Sequence, residues 1–145
     1  MISFQSDWAF EAELSARLVE FNEAQVGPRN TFRFMLSVRD ARGLLVAGLK
    51  GETFWNALYV HDLWVATDQR KNGHGSALVG RAEQIARERG CEISILSTFS
   101  FQAPRFYESL GYQIFGEVPD LPPGHSRYWL SKRLAVTLAS ARIQS

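Results

Sequence analysis

Two parts of this chain could do chemistry by residue type and spacing. They are a basic, glycine-rich run Arg70-Lys71-Asn72-Gly73-His74-Gly75-Ser76 and a strand histidine, His61. The glycine-rich run follows a short apolar stretch, Leu63-Trp64-Val65, and leads into a helical pattern. A strand, loop and helix in that order make an anion cradle. The first helical turn has backbone N–H groups with no intrahelical partner and lies at the positive end of the helix dipole. Each glycine removes a Cβ that would hold a phosphate off the backbone. The expected guest is a phosphate or pyrophosphate. The run is neither the G-x-G-x-x-G of a dinucleotide fold nor a loop ending in G-K-[ST].

The elements that must position these residues can be read from periodicity. Asp7 to Glu23 places Trp8, Leu14, Leu18 and Phe21 at helical spacing, with Ser6 or Asp7 as cap and Gly27-Pro28 as stop. Thr31 to Val38 alternates as a strand with one buried face, and Leu44 to Leu49 reads as its hairpin partner, apolar enough to be covered on both faces. Ala57 to Ala66 is a long strand that carries His61 and Asp62 and feeds the loop. Gly75 to Arg89 is an amphipathic helix ended by Gly90, and Glu92 to Ser97 is a strand, which completes a parallel crossover. A helix at Gln102 to Leu110 precedes a closing antiparallel pair, Tyr112 to Val118 and Ser126 to Leu130, joined by the proline-rich turn Pro119 to His125. Leu134 to Ser145 reads as a short helix or a tail. This order predicts one α/β domain over residues 1–145, a mixed sheet with helices on its faces.

Composition narrows the classes. Sixteen basic against 15 acidic residues leave a formal charge of +1, so no global field favours nucleic acid and any anion site must be local. A single cysteine, Cys91, rules out an internal disulfide and fits a reducing cytoplasm. No apolar run approaches the roughly 20 residues of a membrane span, and the start lacks the pattern of a signal peptide. A cytoplasmic protein without membrane, nucleic-acid or metal partners is expected.

Arg70 to Gly75, as R-x-x-G-x-G between a strand and a helix, resembles the coenzyme A loop of the GNAT superfamily of N-acetyltransferases. Downstream, Ala103, Phe106, Tyr107, Glu108, Leu110, Gly111 and Tyr112 resemble that family's second motif, a helix carrying a tyrosine and ending in L-G-[FY]. The two motifs cover most of Ala57 to Val118. The resemblance implies acetyl transfer from acetyl-CoA to an amine by direct attack, on a sheet whose central strand pair splays. It assigns the pyrophosphate to the backbone of Arg70 to Ser76 and the pantetheine arm to Leu63, Trp64 and Val65. The Val65 N–H would face the thioester oxygen. Tyr107 would protonate or steady the departing thiolate. Many members have an asparagine seven residues before the tyrosine; here Ser100 stands there, and Ser100 or Gln102 is expected to take over its contact.

The proton of an ammonium acceptor needs somewhere to go. His61, four residues before Val65 and so expected on the same side of the strand about 13 Å away, is one acceptor. Glu52, Asp62 and water are the others. Trp55 with Phe54 could wall an acceptor pocket, and Pro119 to His125 could form its rim. Glu52, Asp62 and Asp120 favour a small cationic amine, while a peptide or protein amine fits the sequence equally. The alternative from another class is a non-catalytic coenzyme A-binding sensor or assembly module. A homodimer is compatible with the family, but no edge is indicated.

Overall fold

Strand-forming alternation and helical spacing both appear in the computed structural model, which describes residues 1–135. The chain separates into two compact units, residues 1–30 and 31–145. The first contains α1 (Glu11–Val26), whose apolar residues Leu14, Leu18 and Phe21 are exposed. The helix begins four residues later than expected. Phe10 takes the cap position without a side-chain bond, because the Asp7 carboxylate instead accepts the N–H of Ala9 at 3.2 Å, closing a turn ahead of the helix.

The second unit is built on a six-stranded sheet in the order β1-β2-β3-β4-β6-β5. Its strands are β1 (Phe32–Arg39), β2 (Leu45–Phe54), β3 (Ala57–Val65), β4 (Ile93–Phe99), β5 (Gln113–Pro119) and β6 (Ser126–Arg133). Every neighbouring pair is antiparallel except β3 and β4, which are parallel and joined through α2 (His74–Glu88). A parallel pair needs such a crossover, since a tight turn can only reverse the chain. A short helix, α3 (Pro104–Ser109), links β4 to β5.

Leu58, Val60, Leu96 and Leu130 on one face of the sheet are buried in one cluster with Leu78, Val79, Ala82 and Ala86 of α2 and Tyr107 of α3. A fully buried leucine or valine contributes roughly 1.5–3 kcal/mol, so this cluster is the main anchor of both helices. The second strand is longer than expected and is not covered on both faces. Ala47, Leu49, Gly51 and Thr53 are buried while the residues between them are half-buried or exposed, as an antiparallel strand with one core face requires. Of the expected C-terminal tail, Leu134 is buried and donates its N–H to Glu92 O at 2.9 Å; residues 136–145 lie outside the described residues.

A candidate active site at the opening between β3 and β4

The parallel ladder between β3 and β4 is short. It runs from Ala57↔Ile93 to Val60↔Leu96 and stops, although β3 continues to Val65 and β4 to Phe99. Beyond Leu96, β4 pairs only with β6, as far as Phe99↔Arg127. The two central strands therefore part at their C-terminal ends.

A β-bulge on β3 accompanies the opening. Across from it, Lys50 pairs with Asp62 and the next residue, Gly51, pairs with Val60, so His61 is the extra residue. The insertion reverses the alternation. Upstream, Leu58 and Val60 face the core; downstream, Leu63 and Val65 oppose Leu49 and Ala47 and take over that face. His61 therefore does not share a side with Val65, as uninterrupted counting predicted. It lies with Tyr59 and Glu52 on the opposite face, where its ring meets Tyr59 at 4.4 Å between centroids. Glu52 is a residue of β2, with one carboxylate oxygen 3.8 Å from His61 Nε2 and accepting from Arg33 Nε at 3.0 Å. Asp62 is exposed beside Lys50, at 4.0 Å. Arg33, Lys50, Glu52 and His61 border a groove of about 470 Å³.

Backbone direction matters as much as side chains at the opening. The N–H of Ala66 donates to Val46 O on β2 at 2.8 Å. Amides alternate along a strand, so those of Val65 and Leu63 turn the other way, toward the gap. Arg70 Nε donates to Val65 O at 3.2 Å and ties the loop to the end of the strand. That contact draws its guanidinium back to the strand. Trp64 is exposed.

The loop continues through a 3-10 turn at Thr67–Gln69, with Asn72 Nδ2 donating to Gln69 Oε1 at 2.7 Å. Gly73 caps α2 in the left-handed conformation, φ +79°, which an L side chain adopts only with strain. No side chain caps this helix and no acidic residue stands in its first turn, so the amides of His74, Gly75 and Ser76 are presented outward with the dipole behind them. Lys71 is exposed and His74 half-buried. The two glycines serve different ends. A Cβ on Gly73 would meet nothing within 4 Å, whereas one on Gly75 would come within 3.0 Å of the Phe106 ring. Gly75 is thus needed for packing α2 on α3, a contact the loop motif alone does not reveal.

Phe106 passes this contact on to Tyr107, whose buried ring packs between Phe106 at 5.1 Å and Tyr112 at 5.9 Å. Among the described residues the Tyr107 hydroxyl has no hydrogen-bond partner. Burial pushes its pKa up to about 12, so it is a neutral donor at physiological pH. Tyr112 was legible only as a motif aromatic. Its hydroxyl lies 2.7 Å from Ser94 Oγ and donates to Glu83 Oε2 at 3.0 Å, while Lys132 Nζ reaches Glu83 Oε1 at 2.8 Å. Desolvation raises the pKa of this phenol as well. This buried network fastens α2 to β4 and β6.

Other expected residues have structural occupations. Ser100 Oγ accepts the N–H of Ser126 at 3.0 Å, and Gln102 Oε1 accepts that of Phe99 at 2.8 Å, so both close the turn after β4. Trp55 sits in the β2–β3 turn, nearly the whole length of β3 from Val65, and cannot wall a pocket at the opening. The Pro119–His125 turn is at the correct end: His125 packs on Phe101 at 5.1 Å, just beyond β4. Among the described residues no group of three or more His, Cys, Asp or Glu could hold a metal ion, and no helix is long and apolar enough to cross a membrane.

Residues 2–112 match the acetyltransferase (GNAT) family. The chain belongs to the GNAT acetyltransferase family. This GNAT chain is 46% identical over 94 residues to the blasticidin-S acetyltransferase of Streptomyces morookaense, covering 64% of this chain and 69% of that protein. Its fold superposes on an acetyltransferase from Bacillus cereus with a TM-score of 0.84 and 31% identity, over 92% of this chain and 98% of the other. It also shares the fold of an aminoglycoside 6'-N-acetyltransferase crystallised with coenzyme A, at a TM-score of 0.62, 21% identity and coverage of 94% and 99%.

Proposed function

We propose that the protein transfers the acetyl group of acetyl-CoA to a primary amine of a small molecule by direct attack. The observation that carries this reading is the end of the β3–β4 ladder at Val60↔Leu96, with the Val65 amide turned into the gap and the α2 N-terminus beyond it. The pyrophosphate is held by the amides from Gly73 to Ser76, with Lys71 near enough to add charge, while Arg70 fixes the loop through Val65 O. The pantetheine arm lies along Leu63, Trp64 and Val65. Gln102 keeps its amide N–H groups, and Ser100 its hydroxyl proton, as donors toward that arm.

In the reaction the amine lone pair attacks the thioester carbon, the C–N bond forms and the C–S bond breaks. The Val65 N–H meets the negative charge that develops on the carbonyl oxygen. The ammonium proton passes to His61, oriented by Glu52, or through water to solvent, and the second N–H proton, made acidic once the C–N bond forms, goes through water to the departing thiolate. Tyr107 faces the departing sulfur. A phenol at about 12 and a thiol near 8.5 differ by roughly 5 kcal/mol in proton affinity, which favours a hydrogen bond from Tyr107 to the thiolate over full proton transfer. The 46% identical relative named for blasticidin-S favours a small-molecule acceptor over a protein amine.

The test is thiol release from acetyl-CoA in the presence of blasticidin S, polyamines, aminoglycosides and a lysine peptide. Acceptor-dependent release with at least one small amine, and an acetylated product by mass, is expected. Release with the peptide alone would sink the small-molecule reading.

A further inference from the structure

The opening between β3 and β4 has a basic side that the transfer chemistry above does not use. On the face of the sheet that carries Tyr59, His61 and Glu52, Arg127 of β6 reaches across to β4. Its Nε and Nη2 donate to Ser97 Oγ at 3.1 and 2.7 Å, and its guanidinium lies over the rings of Trp129 at 4.8 Å and Phe99 at 5.5 Å. Among the described residues no carboxylate pairs with it. Aromatic rings hold a guanidinium in place without neutralising it, and Ser97 occupies only part of its five-donor fork.

Register puts Ser97, the residue this cation donates to, across the mouth from His61. Val60 and Leu96 are the last paired residues of β3 and β4, and His61 and Ser97 are the next residue on each strand. The two poles are therefore separated by one widened interstrand spacing plus the side chains, on the order of 5–10 Å. Between them Tyr59 and Trp129, 6.4 Å apart, form an aromatic floor. One pole is Glu52 with His61, suited to an amine; the other is a guanidinium framed for an oxyanion.

Resting on the acetyltransferase reading above, we infer that the acceptor carries a carboxylate a few bonds from its reactive amine, and that Arg127 binds this carboxylate and so sets acceptor specificity. Arginine meets a carboxylate through two parallel N–H bonds, which also fixes the direction in which the amine points toward the opening.

The experiment uses matched pairs of small amines with the coenzyme A-loaded protein: lysine against lysinamide, 4-aminobutyrate against its amide, and blasticidin S against its amide. Binding is read by calorimetry and turnover by product mass with acetyl-CoA. Wild type should favour the acid over the amide by roughly 10- to 100-fold in affinity or kcat/KM in at least one pair, the range of a charged hydrogen bond. Arg127→Met should erase that preference, and Arg127→Lys should retain part of it, while coenzyme A affinity stays within about twofold. Equal affinity for acid and amide in every pair, no binding of any pair, or a preference that survives in Arg127→Met would each overturn the inference. So would a loss confined to coenzyme A binding, because the guanidinium would then be serving a phosphate. An acid preference that Arg127→Met erases, without any acetylated product, would support Arg127 as a carboxylate site and count against the acetyl-transfer reading instead.

Discussion

Replacing Tyr107 by phenylalanine removes one oxygen and, by the geometry, almost nothing else. The hydroxyl has no protein partner among the described residues, and the ring contacts to Phe106 and Tyr112 are kept. Folding stability at pH 7 should therefore change by less than about 1 kcal/mol, since no made hydrogen bond is lost. Catalysis should change more. If the phenol steadies the thiolate by one hydrogen bond to a charged atom, worth roughly 1.5–3 kcal/mol, kcat should fall by about 10- to 150-fold with the KM for acetyl-CoA nearly unchanged. Thiol release with a chromogenic disulfide reports it, and Cys91, fully buried with its pKa raised mainly by that burial, is shielded from the reagent. The same variant carries a second signature at high pH. An unfolded tyrosine ionises near 10, the folded one at about 12. The benefit of keeping the proton is fully present below pH 10 and is lost as pH rises from 10 to 12, up to roughly 2.7 kcal/mol. Tyr107→Phe should lose less stability over that interval than wild type, as read by urea unfolding at pH 9, 10 and 11. An unchanged kcat, or a neutral-pH destabilisation above about 2 kcal/mol, would refute the assignment of a free, buried donor.

Gly73→Asn and Gly73→Val separate conformation from contact: asparagine tolerates the left-handed backbone and should keep stability within about 1 kcal/mol, while valine should lose more, and both should weaken coenzyme A binding in calorimetry because each adds a side chain at the cradle. His61→Ala should lower kcat and abolish the acidic limb of the pH–rate profile if His61 takes the proton; a limb that persists assigns the task to water. Tyr112→Phe should cost roughly 1–3 kcal/mol in urea unfolding, because Ser94 Oγ and Glu83 Oε2 lose a buried partner; a change below about 0.5 kcal/mol would mean the network contributes little.

Local patterns made much of this legible in the sequence. Alternation marked β1, apolar, aromatic and β-branched runs marked the other strands, helical spacing and Gly90 marked α2, and the R-x-x-G-x-G run with its downstream tyrosine motif pointed to the GNAT family. What could not be read depended on one residue of register or on long-range partners. The bulge at His61 turns that side chain to the other face, and nothing in Tyr59-Val60-His61-Asp62 announces it, because a bulge is defined by the strand opposite. Glu52 and Arg127 come to the opening from β2 and β6, far from the motif in sequence. Gly75 looked like a residue spared for phosphate, but its missing Cβ also makes room for Phe106. Ser100 and Gln102 looked available, and the backbone of the turn after β4 already engages an oxygen of each.

The central claim is that coenzyme A enters between β3 and β4 with its pyrophosphate on the start of α2. The most direct measurement is an amide chemical-shift titration of the isotopically labelled protein with coenzyme A. The account predicts that the largest shifts fall on Leu63, Val65 and Gly73 to Ser76. Shifts gathered instead around the groove at Arg33, Lys50 and Glu52, with those amides unmoved, would contradict it.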